Sequence, residues 1–238
     1  MYLSRLILNP THRSVWRDLG DCQALHRAVM SAFPLTPGTG DARSALGVLY
    51  RVEEHRTGAV DLLVQSKVAP DWTVFERGYL QDTGEDLKNP ACKSVAHYYH
   101  SLVTGAVLAF RLRANPTRKI DTKTGADRRR RNGKRVELRG EEAQLEWLRR
   151  KSEQAGFQVL SVRADPYVPN VRAIHGTKAT GKRPGTAATR LTLASVLFEG
   201  MLRVTNTEKF RRALEQGVGT GKAYGFGLLS VARVQGGP

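Results

Sequence analysis

The chain has 238 residues, with 38 Lys and Arg against 22 Asp and Glu, a formal net charge of +16 and 40% hydrophobic residues. That length gives one large or two small domains with true cores, and the charge points to a polyanion, either nucleic acid or an anionic membrane surface. No apolar run nears the roughly 18 residues of a membrane span, Met1 to Pro10 lacks the regions of a signal peptide, and Cys22 and Cys92 show no metal-ligand spacing, which together place the chain in the cytoplasm with reduced thiols.

In chain order, Tyr2 to Leu8 reads as a strand and Asp21 to Phe33 as an amphipathic helix, followed by strands Gly47 to Glu53 and Ala59 to Gln65 around a turn at Gly58. Trp72 to Lys93 carries no clear period. Ala96 to Thr104, with His97-Tyr98-Tyr99-His100, reads as a helix or a linker. Ala106 to Arg113 is a strand. From Arg111 to Arg135 eleven Lys or Arg meet two Asp, including the run Arg128-Arg129-Arg130-Arg131, in a polar segment expected to be a loop that orders on an anion. Glu141 to Ala155 is a helix with acids first, basic residues late and Gly156 as its stop. Strands are expected around Phe157 to Arg163 and Leu191 to Val204. The acid-free stretch Val171 to Phe198, with Lys178, Lys182 and Arg183 near its centre, reads as a long basic hairpin or loop suited to double-stranded nucleic acid.

Thr207 to Gln216 reads as a helix capped by Thr207 and ended by Gly217, and Leu228 to Val234 as the last strand. Between them lies Gly217-Val218-Gly219-Thr220-Gly221-Lys222-Ala223-Tyr224-Gly225-Phe226-Gly227. Glycine admits positive φ and close approach, so Gly219 and Gly221 are candidates to present N–H groups to phosphates, with Lys222 beside them. A nucleotide-binding P-loop needs a strand before the glycines, a helix after them and a hydroxyl where Ala223 stands. Here the order is reversed. A plain Gly-rich turn remains the alternative.

Leu6-Ile7-Leu8-Asn9-Pro10-Thr11 is echoed by Leu112-Arg113-Ala114-Asn115-Pro116-Thr117, each at the end of a strand. Such an echo half a chain apart suggests a duplicated domain. Both halves open β-α-β-β and the second completes β-α-β-β-α-β, the order of a ferredoxin-like, RRM-type sheet. The expected fold is α+β with two tandem ferredoxin-like domains: 1–92, a linker 93–104, and 105–238.

Cleaving RNA through its own 2′-hydroxyl requires a proton acceptor, stabilisation of an anionic phosphorane and a proton for the departing 5′-oxygen. Histidine suits either transfer. In the helix Asp21 to Phe33, Cys22, Leu25, Ala28, Val29, Ala32 and Phe33 form the core stripe, while Gln23, His26, Arg27 and Met30 occupy another face. His26 is then accessible, with Arg27 beside it for a phosphate. From periodicity alone a solvent-facing structural histidine is the commoner outcome. His12, His55, His97, His100 and His175 read as weaker candidates. The pairs Glu53-Glu54 and Glu141-Glu142 do not make a metal cage, so neither metal nor cofactor is expected.

Phe198-Glu199-Gly200, the helix around Phe210, the glycine loop with Leu228-Leu229, the segment Phe110-Arg111-Leu112-Arg113-Ala114-Asn115-Pro116 and the opening Leu6 to Pro10 together resemble the CasE-like endoribonucleases of type I-E CRISPR systems, in the RAMP superfamily. The resemblance spans nearly the whole chain. It implies metal-independent cleavage of the repeat hairpin of precursor CRISPR RNA, leaving a 5′-hydroxyl and a 2′,3′-cyclic phosphate, and retention of the mature guide among the other subunits of a surveillance complex. It implies stem recognition by shape and backbone, since no RNP1-like aromatic set is present, and it makes His26 the catalytic residue. Some relatives carry tyrosine where this chain has Gln23, which leaves the second proton-transfer role unassigned. The residues expected to meet RNA are Arg27, Arg111, Arg113, Arg128, Arg129, Arg130, Arg131, Lys178, Lys182, Arg183, Gly219, Gly221 and Lys222. The alternative is a non-catalytic subunit that caps a guide RNA hairpin.

Overall fold

The computed structural model describes residues 1–35, 41–85, 87–119, 135–165, 171–175 and 189–234. Strand β1 (Tyr2–Leu8) is followed by helices α1 (Arg13–Gly20), α2 (Cys22–Ser31) and the short α3 (Ala42–Ala45), then β2 (Leu49–Glu54), β3 (Val60–Ser66), β4 (Ala91–Ser94) and α4 (Ala96–His100). The second half runs β5 (Val107–Ala114), β6 (Thr117–Lys119), β7 (Arg135–Glu137), α5 (Glu141–Gln154), β8 (Phe157–Asp165), β9 (Val171–His175), β10 (Thr189–Leu193), β11 (Val196–Val204), α6 (Thr207–Gln216) and β12 (Leu229–Arg233).

Two four-stranded sheets result, ordered β2-β3-β1-β4 and β12-β5-β11-β8, with every neighbour antiparallel. Counted within its own half, each sheet has its first strand between the third and fourth and its second strand at an edge. The internal echo therefore has a structural meaning: Leu6 and Leu112 both sit in the central first strand of their sheet, and both are wholly buried. Both halves are ferredoxin-like. The first replaces its second helix with a single 3-10 turn at Trp72–Val74, whose Trp72 Nε1 donates to Ser4 Oγ at 3.0 Å. The second inserts two hairpins, β6–β7 and β9–β10.

Each sheet has its own core. Leu6, Leu8, Leu25, Val29, Tyr50, Leu62 and Val64 close the first under α2. Phe110, Leu112, Trp147, Leu148, Phe157, Phe198, Phe210 and Leu214 close the second under α5 and α6. The Phe-Glu-Gly motif acquires a physical reason here. Phe198 stacks on Trp147, Glu199 pairs with Arg111 on the neighbouring strand β5, and a Cβ at Gly200 would lie 1.9 Å from the Ser161 carbonyl oxygen.

Several expectations are corrected. Asn206, not Thr207, caps α6, its side chain accepting from the Lys209 N–H at 2.9 Å. Leu191 to Val204 is not one strand but parts of two, broken at Ala194 and Ser195. On α2 it is Ala24 that is buried rather than Ala28, and Met30 packs partly against the core. Helix α1 has no counterpart in the sequence reading.

Candidate functional site

Helix α2 begins at Asp21, whose carboxylate accepts from the Gln23 N–H at 3.0 Å and satisfies one of the free donors of the first turn. Its buried residues Cys22, Ala24, Leu25 and Val29 fix its rotation. Arg27 is thereby exposed and His26 half-buried. The His26 ring lies 6.4 Å from that of Tyr50 at an interplanar angle of 21°. Among the described residues its buried Nδ1 has no hydrogen-bond partner. Burial pushes the imidazole below its ordinary pKa, and Arg43 and Arg27 push the same way against the opposing pull of Asp41. His26 is therefore neutral near pH 7.

Arg43, which sequence reasoning missed, comes from α3. Asp41 caps that turn through the Ser44 N–H, and Arg43 donates to the Val48 carbonyl at 3.1 Å, with only 13% of its side chain exposed. Its charge acts on His26, Tyr50 and Lys222 alike. No sequence signal marks it, because its role comes from where the chain folds back.

The glycine loop reaches the same place from the other half. Its 3-10 turn, Lys222–Tyr224, packs against α2 and β2. Glycines 217, 219, 221, 225 and 227 all have positive φ. Cβ atoms at Gly219 and Gly221 would meet the Trp147 and Phe226 rings at 3.0 and 2.9 Å. The missing side chains thus make room for protein, which qualifies the expectation of an open phosphate cradle. Gly219, Thr220 and Lys222 nonetheless line a groove of about 880 Å³ together with α5, α6 and the β6–β7 hairpin. Eight of the lining residues are cationic (Arg118, Lys119, Arg135, Arg150, Lys151, Lys209, Arg212 and Lys222), and none is Asp or Glu. Lys222 is pushed below its ordinary pKa by burial, then by Arg43 and Lys151. Lys151 is lowered likewise, by burial and then by Arg150 and Arg135. Arg212 lies 3.7 Å from Glu208 on its own helix, but no acid lines the groove itself, and cations that repel one another there are relieved by a polyanion.

Two of the residues expected to meet RNA have protein partners. Arg113 is buried, donating to Ser195 Oγ at 2.7 Å and to the Val52 carbonyl at 3.4 Å, and lying over the Phe226 ring. Arg111 pairs with Glu53 at 3.0 Å and Glu199 at 2.5 Å. Both tie the two halves together, Arg113 from a buried position and Arg111 with 43% of its side chain still exposed. Arg128, Arg129, Arg130, Arg131, Lys178, Lys182 and Arg183 lie outside the described residues, although β9, from which the second basic stretch continues, runs beside α2. Of the weaker histidines, His55 contacts Asp61 at 3.0 Å and His12 lies 3.9 Å from Glu76. Among the described residues no three His, Cys, Asp or Glu side chains gather as a metal cage, and no helix is long and apolar enough to cross a membrane.

The family model described as CRISPR associated protein matches residues 1–233. The CRISPR-associated endoribonuclease Cse3 of Thermus thermophilus is 34% identical over 98% of this chain and 100% of its own length. The CRISPR system Cascade subunit CasE of Escherichia coli K12 is 29% identical over 98% of this chain and 99% of its own. A Cse3 endoribonuclease bound to a 19-nucleotide RNA superposes with a TM-score of 0.74 at 31% identity, covering 98% of this chain and 100% of that one. Thermus thermophilus Cse3 bound to an RNA representing a pre-cleavage complex gives 0.72 at 31% identity, with 97% and 98% covered. With nearly the whole length matched, the sheet order shared by both halves and His26 on a helix packed against the turn that ends an acid-free groove, the chain belongs to the CRISPR-associated protein family as a CasE-like member of the type I-E kind.

Proposed function

We propose that this chain recognises and cuts the repeat hairpin of precursor CRISPR RNA and stays on the mature guide within a type I-E surveillance complex. The observation that carries the reading is a groove of eight cations without an acid that ends at Lys222, on the turn packed against the helix of His26. A-form stems are recognised by shape and phosphates rather than by base edges in their deep groove, and such a groove meets phosphates.

Neutral His26 takes the proton from the 2′-hydroxyl beside the scissile phosphate. The 2′-oxygen then attacks phosphorus, and Arg27, Arg43 and Lys222 meet the developing phosphorane charge. The bond to the 5′-oxygen breaks, leaving a 2′,3′-cyclic phosphate on one fragment. The departing oxygen takes a proton to become the 5′-hydroxyl of the other. Lys222 suits that donation, since its lowered pKa makes it a readier acid than an ordinary lysine.

Incubating the protein with a repeat hairpin RNA in EDTA tests this directly. Cleavage with a phosphatase-resistant cyclic end and a kinase-labelled 5′-hydroxyl is expected. Tight binding with no cut in any buffer would make the chain a capping subunit instead. Within the same reading, Arg150→Ala with Lys209→Ala is expected to weaken stem binding and flatten the dependence of log K on log salt by about 1 to 2 units. The cleavage rate at saturating RNA should be unchanged, as neither residue adjoins His26. Filter binding across a salt series measures it.

A further inference from the structure

Strand β2 is an edge of the first sheet, and three consecutive residues on it meet the glycine loop. A Cβ at Gly217 would lie 2.9 Å from the Leu49 side chain. Tyr50 Oη donates to the Ala223 carbonyl at 2.7 Å, and a Cβ at Gly225 would lie 3.2 Å from its ring. Arg51 Nη1 donates to the Leu228 carbonyl at 3.1 Å. Successive strand residues point to opposite faces, so the loop folds over this edge and is held from both sides. Only Tyr50 of the three also stacks on His26. Its phenol is wholly buried, and burial keeps it protonated, so the donation to Ala223 persists at any working pH.

We infer that Tyr50 is a positioning residue for cleavage, holding the His26 ring and the turn that carries Lys222 in one fixed arrangement across the two halves of the protein. This rests on the reading of His26 as the proton acceptor. One side chain fixes the plane of the imidazole through ring contact and fixes the turn through a hydrogen bond. The two groups that must flank one phosphate come from different halves, and Tyr50 is where their positions become dependent. Displacement of a reacting group by about 1 Å costs up to roughly a hundredfold in rate, so such a strut acts on the chemical step rather than on RNA affinity.

Two variants separate the ring from the hydroxyl, with His26→Ala run beside them. Tyr50→Phe keeps the stacking and removes the tether, and single-turnover cleavage is expected to fall about tenfold with RNA affinity within about twofold of wild type. Tyr50→Leu removes both, and its rate is expected to fall about a hundredfold. A second effect is specific to Tyr50→Leu. The groups facing or packed near His26 are Tyr50 from β2, Arg43 and Asp41 from the α3 turn, Arg27 from its own helix, and the turn bearing Lys222 and Tyr224, while β9, which carries Arg172 and His175, runs alongside. Opening the aromatic wall admits water, so the acid limb of the pH–rate profile should move up toward the ordinary imidazole value of about 6.5. A mere loss of folding would lower the amplitude without moving that limb. Wild-type cleavage by Tyr50→Phe together with an unmoved limb in Tyr50→Leu would overturn the inference while leaving His26 in place. Cleavage by His26→Ala would overturn both.

Discussion

Replacing His26 by alanine is expected to slow single-turnover cleavage of the repeat hairpin by about 10² to 10⁴-fold, the range over which a positioned proton-transfer group contributes. RNA affinity should stay within about threefold, because the eight groove cations that supply it lie on α5, α6, the β6–β7 hairpin and the glycine loop. The pH dependence carries the sign. A proton acceptor works only when neutral, and burial together with Arg43 and Arg27 holds His26 below its usual value. The rate therefore climbs with pH through that lowered value and is level by about pH 6.5. The same shift affects stability. The unfolded chain binds a proton at about pH 6.5 that the folded site resists, so the contribution of His26 to stability is complete above that pH and is lost as pH falls through the folded value. Rapid-quench cleavage across pH, with equilibrium binding of both proteins, measures the whole set. Undiminished cleavage by the alanine variant would move the chemistry to another residue, and joint loss of binding and cleavage would make His26 a structural residue of α2.

Local pattern was enough for the elements whose side chains alternate or recur. Tyr2–Leu8 is the strand expected from its apolar run, and α2 keeps His26 and Arg27 off its buried stripe, although His26 is half-buried rather than freely accessible and Met30 packs partly on the core. The six-residue echo located the first strand of both sheets, because each central strand buries a leucine, Leu6 or Leu112, and leaves the sheet at an asparagine, Asn9 or Asn115, whose side chain donates to a backbone carbonyl. What stayed hidden lacks a local signal. Helix α1 has Val15, Trp16 and Leu19 as its apolar side chains in Arg13–Gly20, with Trp16 exposed, and β4 is a short strand whose central residues, Cys92 and Lys93, are exposed. The glycine loop shows the same limit differently. A sequence records that side chains are missing, whereas Trp147, Phe226, Tyr50 and Leu49, which occupy the space, come from two other elements, α5 and β2, and from within the loop. Arg111 and Arg113 were read as part of a basic segment. Their partners Glu53, Glu199 and Ser195 are distant in sequence, and counting charge along the chain cannot see them.

The second large effect is expected at Arg51, which no local pattern would select. Its side chain is 2% exposed between the two halves. Nε and Nη2 donate to Glu53 Oε1 at 2.9 and 2.6 Å, and Nη1 donates to the carbonyls of Arg111 and Leu228 at 3.2 and 3.1 Å. Burial lowers its pKa and Glu53 opposes this; it remains a cation at any ordinary pH. Burial alone would raise the Glu53 carboxyl, but Arg51 and Arg111 hold it below the usual carboxylate range. Arg51→Ala strands two buried carbonyls, opens a cavity and leaves Glu53 to Arg111 alone, a change worth about 3 to 5 kcal/mol. Against a total of about 5 to 15 kcal/mol, that is enough to uncouple the halves. The Tyr50–Ala223 hydrogen bond and the Tyr99–Gln65–Leu214 chain, at 2.7 Å in each link, would be left as polar ties between them, with the Arg111–Glu53 pair at 3.0 Å and the Arg113–Val52 contact at 3.4 Å. Urea unfolding followed by tryptophan fluorescence should then split a single transition into two, because Trp72 reports the first core and Trp147 the second. Arg51→Met with Glu53→Gln removes charge from both partners and keeps most of the volume, and it should recover most of the loss, since a buried pair costs far more to break than to replace. A single alanine variant within about 1 kcal/mol of wild type, unfolding in one step, would mean that apolar packing alone docks the two sheets.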